Sequence, residues 1–82
     1  MQHTSIWQNE PLLDLEGNHF VRLENYQSIL ELTDCLVRLK MKGYVYEIGG
    51  QNIQIRSVTK REIFVEGIIE QIVIRKVVSS KL

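Results

Sequence analysis

Apolar and polar residues alternate along most of this chain of 82 residues. We recognise the alternation in four segments, residues 37–42, 44–48, 53–56 and 63–66. Successive side chains of a β-strand point to opposite faces of the sheet, so a period of two is typical of strands with one buried face. The pattern predicts a protein built mainly from half-buried strands.

The residue types agree with this prediction. The chain contains no alanine, the residue with the highest helix propensity, but it contains ten isoleucines and eight valines. Branching at Cβ suits packing on a pleated sheet. We therefore expect an all-β fold with a single domain at residues 12–76. An irregular segment at residues 1–11 precedes it, and a tail at residues 77–82 follows it.

Turn signals divide the domain into about seven or eight short strands. Gly17 lies in the turn Glu16-Gly17-Asn18, and Lys42-Gly43 forms a two-residue corner between two alternating segments. Short strands at this spacing predict a small antiparallel β-sandwich or roll, with a short β-solenoid as the alternative. No internal repeat is evident in the sequence.

The phase of the alternation changes within the last predicted strand. The apolar residues of one face have odd numbers up to Ile69 and even numbers from Ile72 onward. One extra residue near Glu70-Gln71 restores a single apolar face, which predicts a β-bulge at that point.

The last strand also supplies a candidate interaction face. We assign Ile68, Ile72 and Ile74 to the face opposite the core face, so that both faces of the strand are apolar. Such a strand is either central in the sheet or in contact with a partner or a second copy of the chain. Phe64 is expected to point outward and is included in this candidate face.

Formal net charge is zero, but the charges are unevenly distributed. Residues 1–34 hold six acids and one base, whereas residues 35–82 hold four acids and nine bases. One interpretation is charge pairing between early and late strands. The other is a basic surface for nucleic acid or an anionic membrane, with Arg38, Lys40 and Lys42 as its candidates.

No constellation of catalytic or metal-binding residues is visible. His3, His19 and Cys35 are far apart in the sequence, and zinc needs three or four ligands at recognisable spacing. Neither Lys-Ser nor Lys-Thr follows Gly49-Gly50, so we expect a turn there rather than a phosphate-binding loop. We predict no enzymatic activity, no metal and no cofactor, and we expect Cys35 to be a buried small residue.

The compartment is also constrained. A single cysteine excludes an internal disulfide and suits a reducing compartment. The first residues lack the basic-then-apolar pattern of a secretory signal, and apolar runs such as residues 72–74 are far shorter than a membrane span. We expect a cytoplasmic protein without a transmembrane segment.

Several blocks follow one another along residues 12–74. They are Val21-Arg22-Leu23-Glu24-Asn25-Tyr26, Ile29-Leu30-Glu31, Val37-Arg38-Leu39, Gly43, Tyr46-Glu47-Ile48-Gly49-Gly50-Gln51-Asn52-Ile53-Gln54-Ile55 and Glu62-Ile63-Phe64-Val65-Glu66-Gly67-Ile68-Ile69. In this order and spacing they resemble the YabP/YqfC family of sporulation proteins from endospore-forming Firmicutes, with the YqfC-like branch nearest. Two sites depart from the family pattern. The family usually has His followed by Lys-Gly at the positions of Tyr26-Gln27-Ser28. It often has Tyr-Ser-Asp at the positions of Leu32-Thr33-Asp34.

The resemblance implies a small, non-enzymatic, all-β protein of the mother cell that is needed for spore envelope maturation and works with a membrane protein. We therefore expect a protein-interaction module, in the mother-cell cytoplasm or peripheral at the forespore membrane, that is able to form a homo-oligomer. The alternative is a small nucleic-acid-binding β domain that uses Arg38, Lys40 and Lys42. A third hypothesis is that the chain is an enzyme, but no constellation of residues in the sequence supports it.

Overall fold

The computed structural model describes residues 10–78. Most of the predicted N-terminal segment and C-terminal tail, residues 1–9 and 79–82, therefore lies outside the described residues. The described chain is all β, as predicted, and forms no helix. Its strands are β1 (Leu12–Glu16), β2 (Phe20–Glu24), β3 (Ser28–Leu32), β4 (Leu36–Met41), β5 (Tyr44–Val58) and β6 (Glu62–Lys76).

The six strands form one sheet in the order β1-β2-β6-β5-β4-β3. Every neighbouring pair is antiparallel, so the solenoid alternative, in which strands stack in parallel, does not describe residues 10–78. There are fewer strands than the seven or eight expected. The reason is that β5 continues for 15 residues through Gly49-Gly50, where the sequence predicted a turn between two strands.

The sheet is doubled over on itself. The first half-sheet consists of β1, β2, the start of β6 and the end of β5, and the second consists of β3, β4, the start of β5 and the end of β6. Eight apolar side chains from the two halves are completely inaccessible to solvent, which requires a second layer to cover each half. They are Val21, Leu23, Val37, Leu39, Met41, Ile48, Ile63 and Val65. The shortest dimension of the molecule, 20 Å, fits two layers with their side chains.

Residues 25–27 connect the two half-sheets. The N–H of Asn25 donates to the carbonyl of Arg61, and the N–H of Gln27 donates to the carbonyl of Lys40, each over 2.7 Å. These bonds hold the free ends of the two halves side by side. We call this region, formed by the β2–β3 connection, the β4–β5 turn, the β5–β6 turn and the end of β6, the open end.

Both long strands bend at the opposite end of the molecule, which we call the bend end. Gly49 pairs with Gln71, but Gly50 pairs with Ile69, so Glu70 is an extra residue on β6. This is the predicted β-bulge, which the strand register confirms. Two further register shifts lie on β5, after residue 51 and after residue 55.

The two strands approach each other so closely at the bend that side chains are excluded at two glycines. A Cβ on Gly50 would lie 1.8 Å from the carbonyl oxygen of Ile68, and one on Gly67 would lie 2.6 Å from that of Asn52. Gly67 also has φ +149°, which residues with a side chain rarely adopt. The doubling of the sheet therefore depends on these two positions.

The two half-sheets are built alike. Each contains a hairpin whose second strand carries Val-Arg-Leu, at residues 21–23 and 37–39, and pairs with the start of a long strand. The carbonyls of His19 and Cys35, just before these strands, each accept a hydrogen bond of 3.1 Å from a glycine N–H at the bend. The sequence shows no repeat because little beyond Val-Arg-Leu is shared and because β5 and β6 exchange roles between the halves.

Candidate interaction surfaces

An arginine lies at the centre of the outward face of each half-sheet. In the first half-sheet, Arg22 on β2 contacts Asp14 on β1, Glu24 on its own strand and Glu62 on β6. The hydrogen bond to Asp14, with further contributions from Glu62 and Glu24, raises the pKa of Arg22 although partial burial opposes the shift. One permanently charged guanidinium thus links three adjacent strands.

In the second half-sheet, Arg38 and Arg75 share one carboxylate. The Nε atoms of both arginines lie 3.2 Å from Oε2 of Glu47, and Arg38 also lies 3.5 Å from Glu31. The hydrogen bond from Arg75 is the largest cause of a lowered pKa of Glu47. Burial opposes that shift, and Arg38 adds to it.

Charge pairing occurs across strands, but rarely between the acidic and basic parts of the chain. Of the seven ion pairs among residues 10–78, two join residues 1–34 to residues 35–82. These are Arg22–Glu62 and Glu31–Arg38. The separation of charge in the sequence is therefore not cancelled by ion pairs between the two parts.

The predicted basic face is not a row of free charges. Arg38 is paired with carboxylates on both neighbouring strands. The Lys40 ammonium donates to Oε1 of Gln27 over 3.3 Å and to the carbonyl of Met41 over 2.7 Å. Lys42 lies in the β4–β5 turn and has no acidic partner among the described residues. The nucleic-acid role of these three residues stays a prediction.

The four residues predicted to share one interaction face do not lie together. The bulge places Ile72 opposite Ile48 and Ile74 opposite Tyr46, on the core side of the sheet. Ile72 packs against the core, whereas Ile74, near the strand end, is 53% exposed. Ile68 is exposed at the bend.

Phe64 lies on the outward face of the first half-sheet, apart from the three isoleucines. It points outward as predicted, because it pairs with Arg22 while its neighbours in the chain are buried. Its ring lies 5.7 Å from that of Phe20, centroid to centroid, and is half-buried. The predicted face therefore divides into separate places, and the interaction role of its residues stays a prediction.

Strand β3 is the most apolar exposed element of the molecule. It is an edge strand that pairs with β4 alone among residues 10–78, and all five of its residues are exposed. Ile29, Leu30 and Leu32 are 40–52% exposed, and Glu31 is engaged by Arg38. Sequence reasoning missed this surface, because a strand's position at an edge depends on the strand order of the whole sheet. Local composition does not distinguish it, because β1 also contains three apolar residues among five.

The other edge strand, β1, differs in charge. It carries Asp14 and Glu16 within five residues, and both side chains are exposed. Charged residues on an edge strand discourage the addition of another strand, whereas an apolar edge invites it. The two terminal strands of the sheet are therefore not equivalent as binding surfaces.

A shallow cleft of about 370 Å³ lies at the open end between the two half-sheets. Its lining consists of Asn25, Tyr26, Gln27, Lys42 and Arg61. The Tyr26 hydroxyl donates to the carbonyl of Thr59 over 2.8 Å and is not directed to a ligand. The cleft thus offers two cationic side chains, one from each half-sheet.

Residues 10–78 contain no group of three His, Cys, Asp or Glu residues that could hold a metal ion, and His3 lies outside the described residues. Cys35 is exposed, with its Sγ 3.6 Å from Oγ1 of Thr33, so the prediction of a buried cysteine is wrong. The residue lies at the bend end, just before β4 begins and where the core ends. No helix that could span a membrane occurs among the described residues.

The geometry defines the molecule as a six-stranded, doubled antiparallel sheet with one apolar edge and one basic end. Comparison with known proteins adds no relative to this description. No family model, no curated protein and no solved structure matches the chain.

Proposed function

We propose that this chain is a non-catalytic module that binds a protein partner by adding the partner's strand to the edge of β3. The resemblance to the YabP/YqfC family supplies the biological setting of the proposal. In that setting the module acts in spore envelope maturation in the mother cell, in the cytoplasm or at the periphery of the forespore membrane. Its partner is then a membrane protein of spore formation.

The observation that carries the proposal is the exposure of β3. Main-chain N–H and C=O groups along an unpaired edge can bond an incoming strand, and exposed side chains beside that edge give specificity. Ile29 and Leu32 pair with inward-facing residues of β4, so they extend the core face to the edge of the sheet. An added strand would bury these side chains as well as satisfy the backbone.

The test compares lysine substitutions at equivalent positions on the two edges. Leu32 on β3 pairs with Val37, and Leu15 on β1 pairs with Val21. The two leucines are 52% and 49% exposed, so Leu15→Lys is a matched control for Leu32→Lys. A lysine ammonium beside an edge disfavours strand addition because the charge would have to be desolvated.

Wild-type protein and both variants serve as baits in extracts of sporulating cells, after urea unfolding has shown that all three are folded. We expect at least one protein to be retained by wild type and by Leu15→Lys but about tenfold less by Leu32→Lys. A tenfold loss corresponds to about 1.4 kcal/mol of binding free energy. Equal retention by Leu32→Lys of every protein that wild type and Leu15→Lys retain would contradict the proposal.

Two further measurements separate the components of the proposal. Analytical ultracentrifugation of the purified protein shows whether the β3 edge pairs with a second copy, in which case Leu32→Lys is monomeric and Leu15→Lys is not. Deletion of the gene tests the sporulation setting independently of the edge. Defective spore envelopes are expected, and normal spores would exclude that setting.

A further inference from the structure

The basic side chains of residues 10–78 divide into two groups. Four arginines are in ion pairs, namely Arg22, Arg38, Arg56 and Arg75. Five bases have no carboxylate within 4 Å among the described residues, namely Lys40, Lys42, Lys60, Arg61 and Lys76. The unpaired group is the one available to an anionic partner.

All five unpaired bases lie at the open end. Lys60 and Arg61 form the β5–β6 turn, and Lys42 is in the β4–β5 turn. Lys40 pairs with the first residue of β3, and Lys76 ends β6 opposite Tyr44. The bonds of residues 25–27 bring the turns of the two half-sheets together, so residues distant in sequence form one basic surface.

The unpaired acids lie mostly at the other end of the molecule. Glu16, Asp34 and Glu70 are at the bend end and have no basic partner within 4 Å among residues 10–78. Glu10 is the exception, because its carbonyl binds the side chain of Asn25 near the open end. The molecule is therefore electrically polarised along its length although its net charge is zero.

Exposed apolar side chains are interspersed with the bases at the open end. They belong to the ends of β1, β5 and β6 and to the residues after β6, where the N–H of Val77 bonds the carbonyl of Gly43. They are Leu12, Tyr44, Val58, Ile74, Val77 and Val78, and Val78 is 79% exposed. A surface that combines cationic and apolar side chains fits the interface of an anionic bilayer, which offers phosphate and carboxylate groups above a hydrocarbon layer.

We propose that the open end is a docking surface for an anionic lipid bilayer, with Lys42, Arg61 and the neighbouring bases at the headgroups and the exposed valines inserted between them. A single-stranded nucleic acid fits this surface less well, because such ligands stack on several aromatic rings and Tyr44 is the one exposed tyrosine or phenylalanine of the described open end. Docking through the open end leaves the outer edge of β3 available for a protein.

The experiment measures co-sedimentation of the purified chain with vesicles. One set contains phosphatidylcholine alone and the other contains about 30% phosphatidylserine, a mixture with a negative surface potential. We expect binding to the anionic vesicles that weakens as salt is raised, and no binding to phosphatidylcholine alone. Absence of binding to the anionic vesicles would overturn the proposal.

Two double variants with the same change in net charge locate the surface. Lys42→Gln with Arg61→Gln removes two charges at the open end, and we expect about a tenfold to thirtyfold loss of binding. Asn18→Asp with Gln71→Glu adds two negative charges at exposed positions of the bend end, and we expect less than about a twofold loss since the charges lie far from the bilayer. Equal losses would overturn the proposal.

Val78→Ser tests the apolar component without changing charge, and a loss of roughly tenfold in vesicle binding is expected from the removal of one inserted valine.

Two other occupants of the surface give different results. A single-stranded oligonucleotide bound more tightly than the anionic vesicles would assign the open end to nucleic acid. Self-association would differ from membrane binding in its response: if it depends on protein concentration and changes in both double variants, the open end binds the acidic bend end of a second copy instead.

Discussion

Gly49 and Gly50 are adjacent in the chain, but they differ in the space around them. A Cβ on Gly50 would overlap the carbonyl oxygen of Ile68, whereas one on Gly49 would meet no atom closer than 3.8 Å. We expect Gly50→Ala to lower the free energy of unfolding by about 2–3 kcal/mol because the backbone of the bend must move. Gly49→Ala is the matched control and should change it by less than about 1 kcal/mol. Urea unfolding followed by far-ultraviolet circular dichroism measures both, and equal effects would contradict the described bend.

Glu47 connects stability to pH through its two arginines. Its pKa is lowered in the folded state, so its contribution to stability is present above the ordinary value of 4.5 and is lost as pH falls through the lowered folded-state value. We expect Glu47→Gln to be less stable than wild type at pH 7, with a difference that shrinks as the pH falls below 4.5.

Urea midpoints at a series of pH values check this expectation. Glu16→Gln is the control, because Glu16 has no basic partner within 4 Å among the described residues. It should resemble wild type at every pH. A Glu47→Gln difference that stays constant down to pH 3 would show that the arginines do not hold this carboxylate charged.

Single residues were predictable where the signal is local. The change of parity before Ile72 identifies the extra residue at Glu70, because a one-residue slip moves every following side chain to the other face. The same slip, applied consistently, puts Ile72 and Ile74 on the core side and separates them from Phe64. The exposure of Cys35 had no local signal, since Leu36 and Val37 follow it in the sequence and only the bend shows that the core ends there.

At the scale of elements, alternation locates the strands well but does not show that β5 continues through its bend. The Lys42-Gly43 corner is confirmed by the pairing of Met41 with Tyr44. The turn expected at Gly49-Gly50 is a bend within a continuous strand, because backbone pairing between β5 and β6 resumes on both sides of the bulge. Strand order, and with it the apolar edge at β3, follows from pairing between distant segments, which alternation alone does not encode.

Both half-sheets contribute side chains to one shared core, and this leads to a prediction about the free energy of unfolding. Ile63 in the first half-sheet and Ile48 in the second are completely inaccessible to solvent. We expect Ile63→Val and Ile48→Val each to cost about 0.5–1.5 kcal/mol in urea unfolding, within a single transition. Ile74→Val is the control, because Ile74 is 53% exposed and should lose less than about 0.5 kcal/mol. Two separate transitions would contradict a common core.

At the scale of the whole molecule, the proposed binding surfaces are distinct and compatible. The β3 edge is apolar, runs along one side of the sheet and suits strand addition, whereas the open end is basic and faces away from the acidic bend. A partner held at the membrane could thus engage β3 while the open end rests on the bilayer. Neither surface follows from composition, because the zero net charge and the ordinary apolar content conceal how the residues are distributed in space.

Amide hydrogen exchange of the wild-type protein, alone and with the partner captured by the wild-type bait, tests the central claim most directly. Strand addition gives the outer amides of β3 new hydrogen bonds. We predict that residues 28–32 exchange more slowly in the complex, while residues 12–16 of the acidic edge keep their rate. Unchanged exchange at β3 in the presence of bound partner would contradict the assignment of this edge as the binding surface.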